Sequence, residues 1–311
     1  MNYILLALYF SIFLLFKNSP INYSIQMSSF FVDDFINLLI VDISRDDYDR
    51  ICRKSEGIIY VELELILQHG VSLEQRIRAL ELAVKNEFGG GVRLLVNHGT
   101  SSPDILTNVL IHTSITGNTK ILKFLCDNGA NLQVHAKYLL NEGAYLGHLS
   151  FVKYLLDHNG KSYLNDVQSP PLIMAVERDH LPMVKLLYKR GANLSICNSG
   201  ALLLSAKNDC MGIVTYLLRK KININTYNPI GSNEEKKFGI SALINSCGAG
   251  NLAMSKYLLN NGADCYICDQ MALAKSITNN HIKITKLLLK HGSDPNSIFI
   301  HNDVINEVSL S

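Results

Sequence analysis

The sequence predicts an all-α solenoid of stacked helix-turn-helix units, about seven full ones and a partial first, and two recurring columns predict it. A helix-ending turn recurs as His69-Gly70, His98-Gly99, Asn128-Gly129-Ala130, Asn159-Gly160, Arg190-Gly191-Ala192, Lys220-Lys221, Asn261-Gly262-Ala263 and His291-Gly292, at steps of 29, 30, 31, 31, 30, 41 and 30 residues. Four residues before each stands an aliphatic side chain: Ile66, Leu95, Leu125, Leu156, Leu187, Leu217, Leu258 and Leu288. A second leucine column, Leu80, Leu110, Leu140, Leu172, Leu202, Leu243 and Leu273, lies 19 residues before the glycine position, and 20 before it for Leu140.

Each unit then reads in order. Three and four residues after the earlier leucine come small side chains, among them Ala83, Thr113, Ser114, Ala144, Ala175, Ser205, Ala206, Ser246 and Ser276. That spacing is a helix face that approaches its neighbours closely. Seven residues after the leucine come Gly117, Gly147, Asp179, Asp209, Gly250 and Asn280, types that tolerate the left-handed conformation ending a helix. A second apolar run follows, as in Phe151-Val152-Lys153-Tyr154-Leu155-Leu156, and then the glycine turn and a short extended link. One such pair cannot bury both apolar faces, whereas stacked pairs can.

The array fills 58–296. Residues 1–26 are a hydrophobic leader, 27–57 an N-terminal helical cap and 297–311 a tail. In the leader, Tyr3 to Phe16 is apolar except for Ser11, which as a helix is about 21 Å long and short of the roughly 30 Å bilayer core. It has no basic n-region and no clean cleavage site, so anchor, secretory leader and a translation start at Met27 all stand as readings. In 27–57, Phe30-Phe31 and Phe35-Ile36-x-x-Leu39-Ile40 form one amphipathic face, suited to covering the open end of the array. The 41-residue step marks an insert, 228–238, rich in turn-forming and charged residues. Insertions in arrays map to loops, often on the binding face, which makes Tyr227, Glu234, Glu235, Lys236, Lys237 and Phe238 the candidate partner-binding residues.

Composition narrows the function. With 29 Lys+Arg against 27 Asp+Glu, the chain lacks the uncompensated cations of a nucleic-acid coat, so no nucleic-acid partner is expected. The bias to 29 Asn and 31 Ile against 16 Ala reads as genome composition rather than chemistry. Seven scattered Cys point to reduced thiols. Seven of the ten His fall on repeat columns as turn-capping residues: His69, His98, His158, His291, His148, His180 and His281. Cys265-x-x-Cys268 has no second close pair to complete a zinc site, and Gly89-Gly90-Gly91 lacks the Lys-Ser/Thr of a phosphate loop. No catalytic residue, metal or cofactor is expected, and the chain is expected to be monomeric.

The best units resemble the ankyrin repeat, whose consensus runs Thr-Pro-Leu-His, two alanines, Gly-His-Leu, Val-Lys-Leu-Leu and Gly-Ala-Asp. They are Pro170-Pro171-Leu172 with His180-Leu181, Gly147-His148-Leu149 with Val152-Lys153-Tyr154-Leu155-Leu156, and Gly262-Ala263-Asp264. The Thr-Pro-Leu-His tetrapeptide is degraded in every unit. The units are also about three residues short of consensus, which implies plain loops in place of projecting hairpins. With the Asn/Ile bias, the chain is similar to the ankyrin families of giant DNA viruses (mimivirus-like). The resemblance implies a non-enzymatic scaffold in the host-cell cytoplasm, gripping a protein partner with inner helices and loop tips. Alternatives are a membrane-tethered ankyrin protein held by Tyr3 to Phe16, and a ubiquitin-ligase substrate adaptor with a degenerate F-box in 27–57.

Overall fold

The structure, a computed structural model, describes residues 72–295 apart from 159, 167, 169, 195 and 230–238. The leader, the cap, the core of the insert and the tail lie outside those residues. The chain divides into two units, 1–79 and 80–311. Helix α1 (Leu73–Lys85) runs from the first into the second. Thereafter helices alternate as first and second members of each pair: α2 (Gly89–Asn97), α3 (Pro103–Thr116), α4 (Thr119–Asp127), α5 (Leu132–Tyr145), α6 (Leu149–Asp157) and α7 (Pro171–Glu177). The series continues with α8 (Leu181–Lys189), α9 (Ile196–Lys207), α10 (Met211–Arg219), α11 (Ala242–Gly248), α12 (Leu252–Asn260), α13 (Ile267–Thr278) and α14 (Ile282–Lys290). First helices α3, α5, α7, α9, α11 and α13 pack in succession as one layer, the inner helices of the array, with the second helices alongside. This is the all-α solenoid.

The leucine columns are its core. Leu80, Leu110, Leu140, Leu202 and Leu273 on first helices, and Leu95, Leu125, Leu187, Leu217, Leu258 and Leu288 on second helices, are all completely buried. Each contributes about 2 kcal/mol of apolar burial. The small column lets helices approach, and its hydroxyls are satisfied locally. Thr113 Oγ1 donates to Leu110 O (2.6 Å), Ser205 Oγ to Leu202 O (3.0 Å) and Ser276 Oγ to Leu273 O (2.8 Å). A polar atom bonded back to its own helix is tolerated in an apolar layer.

Both turns are left-handed. All seven first turns place one residue at φ between 55° and 82°, including Glu87, which its type does not announce. The second turns close by a pair of bonds to the column: Ala130 N donates to Leu125 O (3.0 Å) and Gly129 N to Cys126 O (3.0 Å), and Ala192, Ile222, Ala263 and Ser293 repeat the first of these. Lys221 occupies the glycine position at φ 62°, where a Cβ is strained. The unit at Gly160 departs from the rule, because a 3₁₀ turn, Gly160–Tyr163, replaces the left-handed closure.

Two expectations change. The histidines after the first turn make no capping bond to their own helices. Instead they reach back one unit: His148 Nε2 donates to Ile115 O (3.1 Å) and His281 Nε2 to Gly248 O (3.1 Å). The rings then lie over the preceding turn, where a Cβ on Gly117 would come within 2.4 Å of His148, one on Gly147 within 2.9 Å of His180, and one on Gly250 within 2.7 Å of His281. Where the turn carries a side chain, the next unit offers something smaller. Glu87 is followed by Asn118, Asp179 by Cys210 and Asp209 by Asn251, whose amide donates to Lys207 O (3.0 Å). Nor is the asparagine content inert. Asn225 donates to Gly262 O (3.2 Å) and accepts from Asp264 N (2.9 Å), clamping the next unit's turn, and Asn165 does the same to Gly191 and Asn193. These bonds supply the unit-to-unit hydrogen bonding that the degraded tetrapeptide leaves open.

Links between units are loops, with two exceptions among the described residues, the 3₁₀ turn Gly160–Tyr163 and one strand pair. Strand β1 (Tyr227–Pro229) pairs antiparallel with β2 (Gly239–Ser241), registering Tyr227 with Ser241 and Pro229 with Gly239.

Candidate partner-binding surface

Two residues beyond each buried leucine, a first helix has turned roughly 200° away from its packed face. The residues there are Leu82, His112, Glu142, Met174, Leu204, Asn245 and Lys275, one per helix and every one half-exposed. The backbone positions them identically, but their chemistry does not repeat. Beside the column, α5 exposes Val134 and Tyr138 one turn apart, at 61% and 49%. The Arg178 guanidinium lies over the Tyr145 ring at 4.2 Å, covering part of an otherwise open aromatic.

The electrostatics of this surface follow from its partial burial. Burial holds the His112 imidazole below its ordinary value, helped by the charge of Lys85 and opposed by Glu81. Burial, and then the neighbouring Lys207, lowers Lys275. Both groups are held toward their neutral forms, which lowers the cost of covering them with a partner.

The thiols are chemically quiet. Burial pushes Cys126 up to about 11, Cys210 to about 12 and Cys247 to about 11, so each is a protonated thiol at neutral pH and a poor nucleophile. Cys265 is buried, with Sγ donating to His291 O at 3.7 Å, while the side chain of its sequence partner Cys268 lies outside the described residues. Among the described residues no group of three His, Cys, Asp or Glu could hold a metal, and no helix is long and apolar enough to cross a membrane. His158 and His291 cap their own helices, Nδ1 donating to Tyr154 O and Leu287 O at 2.9 Å each, and Asn128 and Asn261 do the same with their amides.

Of the candidates from the insert, only the backbone of Tyr227 is described, as the first residue of β1; Glu234, Glu235, Lys236, Lys237 and Phe238 lie outside the described residues. The structure therefore groups a different set, the first-helix column. Sequence reasoning passed over it because the column is defined by non-repetition. Its signal was the offset of two from each leucine.

A family model of ankyrin repeats in three copies matches residues 140–228 and 228–298, which together make just over half of the chain. Two curated relatives are similar. The ankyrin repeat and KH domain-containing protein mask-1 of Caenorhabditis elegans is 29% identical over 186 residues, covering 58% of this chain and 7% of the relative. The putative ankyrin repeat protein L675 of Acanthamoeba polyphaga mimivirus is 25% identical over 260 residues, covering 78% of this chain and 46% of the relative. The chain thus spans less than half the length of either. The human ASB11 ankyrin repeat domain is similar in structure at a TM-score of 0.48 and 20% identity, over 60% of this chain and 84% of that one.

Proposed function

Because the chain belongs to the ankyrin-repeat family, a family of protein–protein interaction modules, we propose that it acts without catalysis and binds one protein partner along its first helices and loop tips. The observation that carries this reading is the half-exposed column from Leu82 to Lys275. It offers one different side chain per unit on a regular frame, and a partner matched to that order is bound selectively. Protonated thiols favour binding over thiol chemistry.

The insert is a second candidate contact for the partner, as insertions in repeat arrays often are. Pairing of β1 with β2 brings its two ends together. Removal of 229–237 weakens partner capture and leaves the melting temperature unchanged. The test of the column is affinity capture by the full chain beside a Glu142→Lys, Lys275→Glu variant, which keeps the net charge. Captured proteins disappear from the variant while its unfolding free energy stays within about 0.5 kcal/mol, as for surface substitutions. An unaltered set of captured proteins would remove the column from the binding surface.

A further inference from the structure

The charge of the array is segregated in a way its total conceals. The seven first helices carry six Lys+Arg and six Asp+Glu. The seven second helices carry eleven Lys+Arg and only Asp127 and Asp157. Asp157 is already engaged, by Arg190 at 2.8 Å. Cations in the last helical turn, such as Lys189, Arg219 and Lys290, complement the helix dipole and need no other cause. The fifth position lies mid-helix, at the lysine of the Val-Lys-Leu-Leu consensus that Val152-Lys153 matches. It is a cation in six of the seven second helices: Arg93, Lys123, Lys153, Lys185, Lys256 and Lys286, all exposed and none in an ion pair among the described residues.

Contacts between units hold part of this row in place. Arg93 lies 5.7 Å from the ring of Phe124, and Lys185 lies 5.8 Å from that of Tyr216, in each case the ring one unit further on. Lys220 sits 4.9 Å from Tyr188 and 5.7 Å from Tyr216, whose rings meet edge to face at 6.2 Å.

We infer that the second helices form a separate docking surface for an acidic, extended polypeptide segment with a carboxylate at about every third residue. Packed helices lie about 8–10 Å apart, which sets the pitch of the row. Three residues of extended chain rise about 10 Å and match it. A nucleic-acid duplex presents a charge about every 3.4 Å along each strand, so the row would meet roughly one in three. On this face Phe124, Tyr188 and Tyr216 are engaged with cations and Tyr154 stacks on His158 at 4.0 Å, so these four rings offer no open platform for bases. An anionic bilayer favours a face with exposed apolar groups among its cations, and Leu149, Leu252 and Ile282 lie exposed one turn before Lys153, Lys256 and Lys286, so a bilayer is the competing occupant that the test separates. The formal net charge of +2 removes long-range attraction to either large polyanion. A segment lying on the second helices alone feels the local excess, because charges beyond a Debye length of about 8 Å are screened.

The test is fluorescence anisotropy with the full chain and a labelled peptide of repeated Glu-Ser-Ser triplets. A second peptide of the same composition with its glutamates contiguous probes the spacing. The triplet peptide binds more tightly than the contiguous one. Its affinity falls about tenfold in the Lys153→Glu, Lys256→Glu variant, and is unchanged in the Lys85→Glu, Lys207→Glu variant, which alters net charge equally on the first helices. Equal losses in the two variants would overturn the inference. So would binding of a phosphatidylserine vesicle or an RNA duplex where the triplet peptide does not bind. The first-helix reading stands or falls separately, on the Glu142→Lys, Lys275→Glu variant.

Discussion

Replacing Gly117 by Ala tests how one unit seats on the next. The new Cβ would lie 2.4 Å from Cγ, 2.6 Å from Nδ1 and 2.8 Å from Cδ2 of His148, so the ring must leave its place. Leaving breaks the Nε2 bond to Ile115 O, worth about 1 kcal/mol, and disturbs packed neighbours at a cost of about 1 kcal/mol more. The alanine also meets the left-handed backbone at φ 69°, for about 1 kcal/mol. Gly117→Ala should therefore destabilise the chain by about 3 kcal/mol, and His148→Ala alone by about 1 kcal/mol. With His148 already gone the clash disappears, and the double variant loses only about 2 kcal/mol, which makes it more stable than Gly117→Ala by itself. Urea unfolding followed by the helical circular dichroism signal reads all four proteins. If the losses add to within about 0.5 kcal/mol, the histidine does not hold the turn below it and the seating argument fails.

Three further outcomes follow from local geometry. Lys221→Gly relieves a Cβ at φ 62° and raises the unfolding free energy by about 0.5–1 kcal/mol in the same urea assay. Asn225→Ala removes both bonds to the turn at Gly262 and lowers stability by about 1–2 kcal/mol, with hydrogen exchange accelerating first at Ala263 and Asp264. His112 sets an acid limb. Its folded-state value lies below the ordinary 6.5, so on acidification the unfolded chain takes up the proton first. The stability tied to this group is whole above 6.5 and declines as pH falls below it, a decline that thermal melts should show reduced in His112→Gln.

Much of this fold was legible because it repeats. Leu110, Leu202 and Leu273 announced a buried column, and Gly117, Asp179 and Asn280 announced left-handed turns, since residue type alone restricts those conformations. Glu87 at φ 60° was not legible, because glutamate has no preference for that region and only the register of the array places it there. The pairing of Gly147 with His180, and of Asp179 with Cys210, was on the page as letters. It became physics only once stacking set which turn lies beneath which ring. Asn165 and Asn225 were hidden for a similar reason: their partners lie 26 to 39 residues away, beyond any local pattern. The first-helix column and the charge segregation needed the same knowledge of which helix belongs to which layer.

The proposed partner surface is tested most directly by oxidative footprinting of the captured complex. Met174 is half-exposed in the first-helix column, and Met211 is half-exposed at the start of a second helix, so the chain carries its own probe and its own control. Brief hydroxyl-radical exposure and mass spectrometry should show Met174 oxidised readily in the free chain and protected in the complex, with Met211 oxidised at the same rate in both. Oxidation of Met174 at an equal rate in the free and bound chain would contradict binding along the first helices.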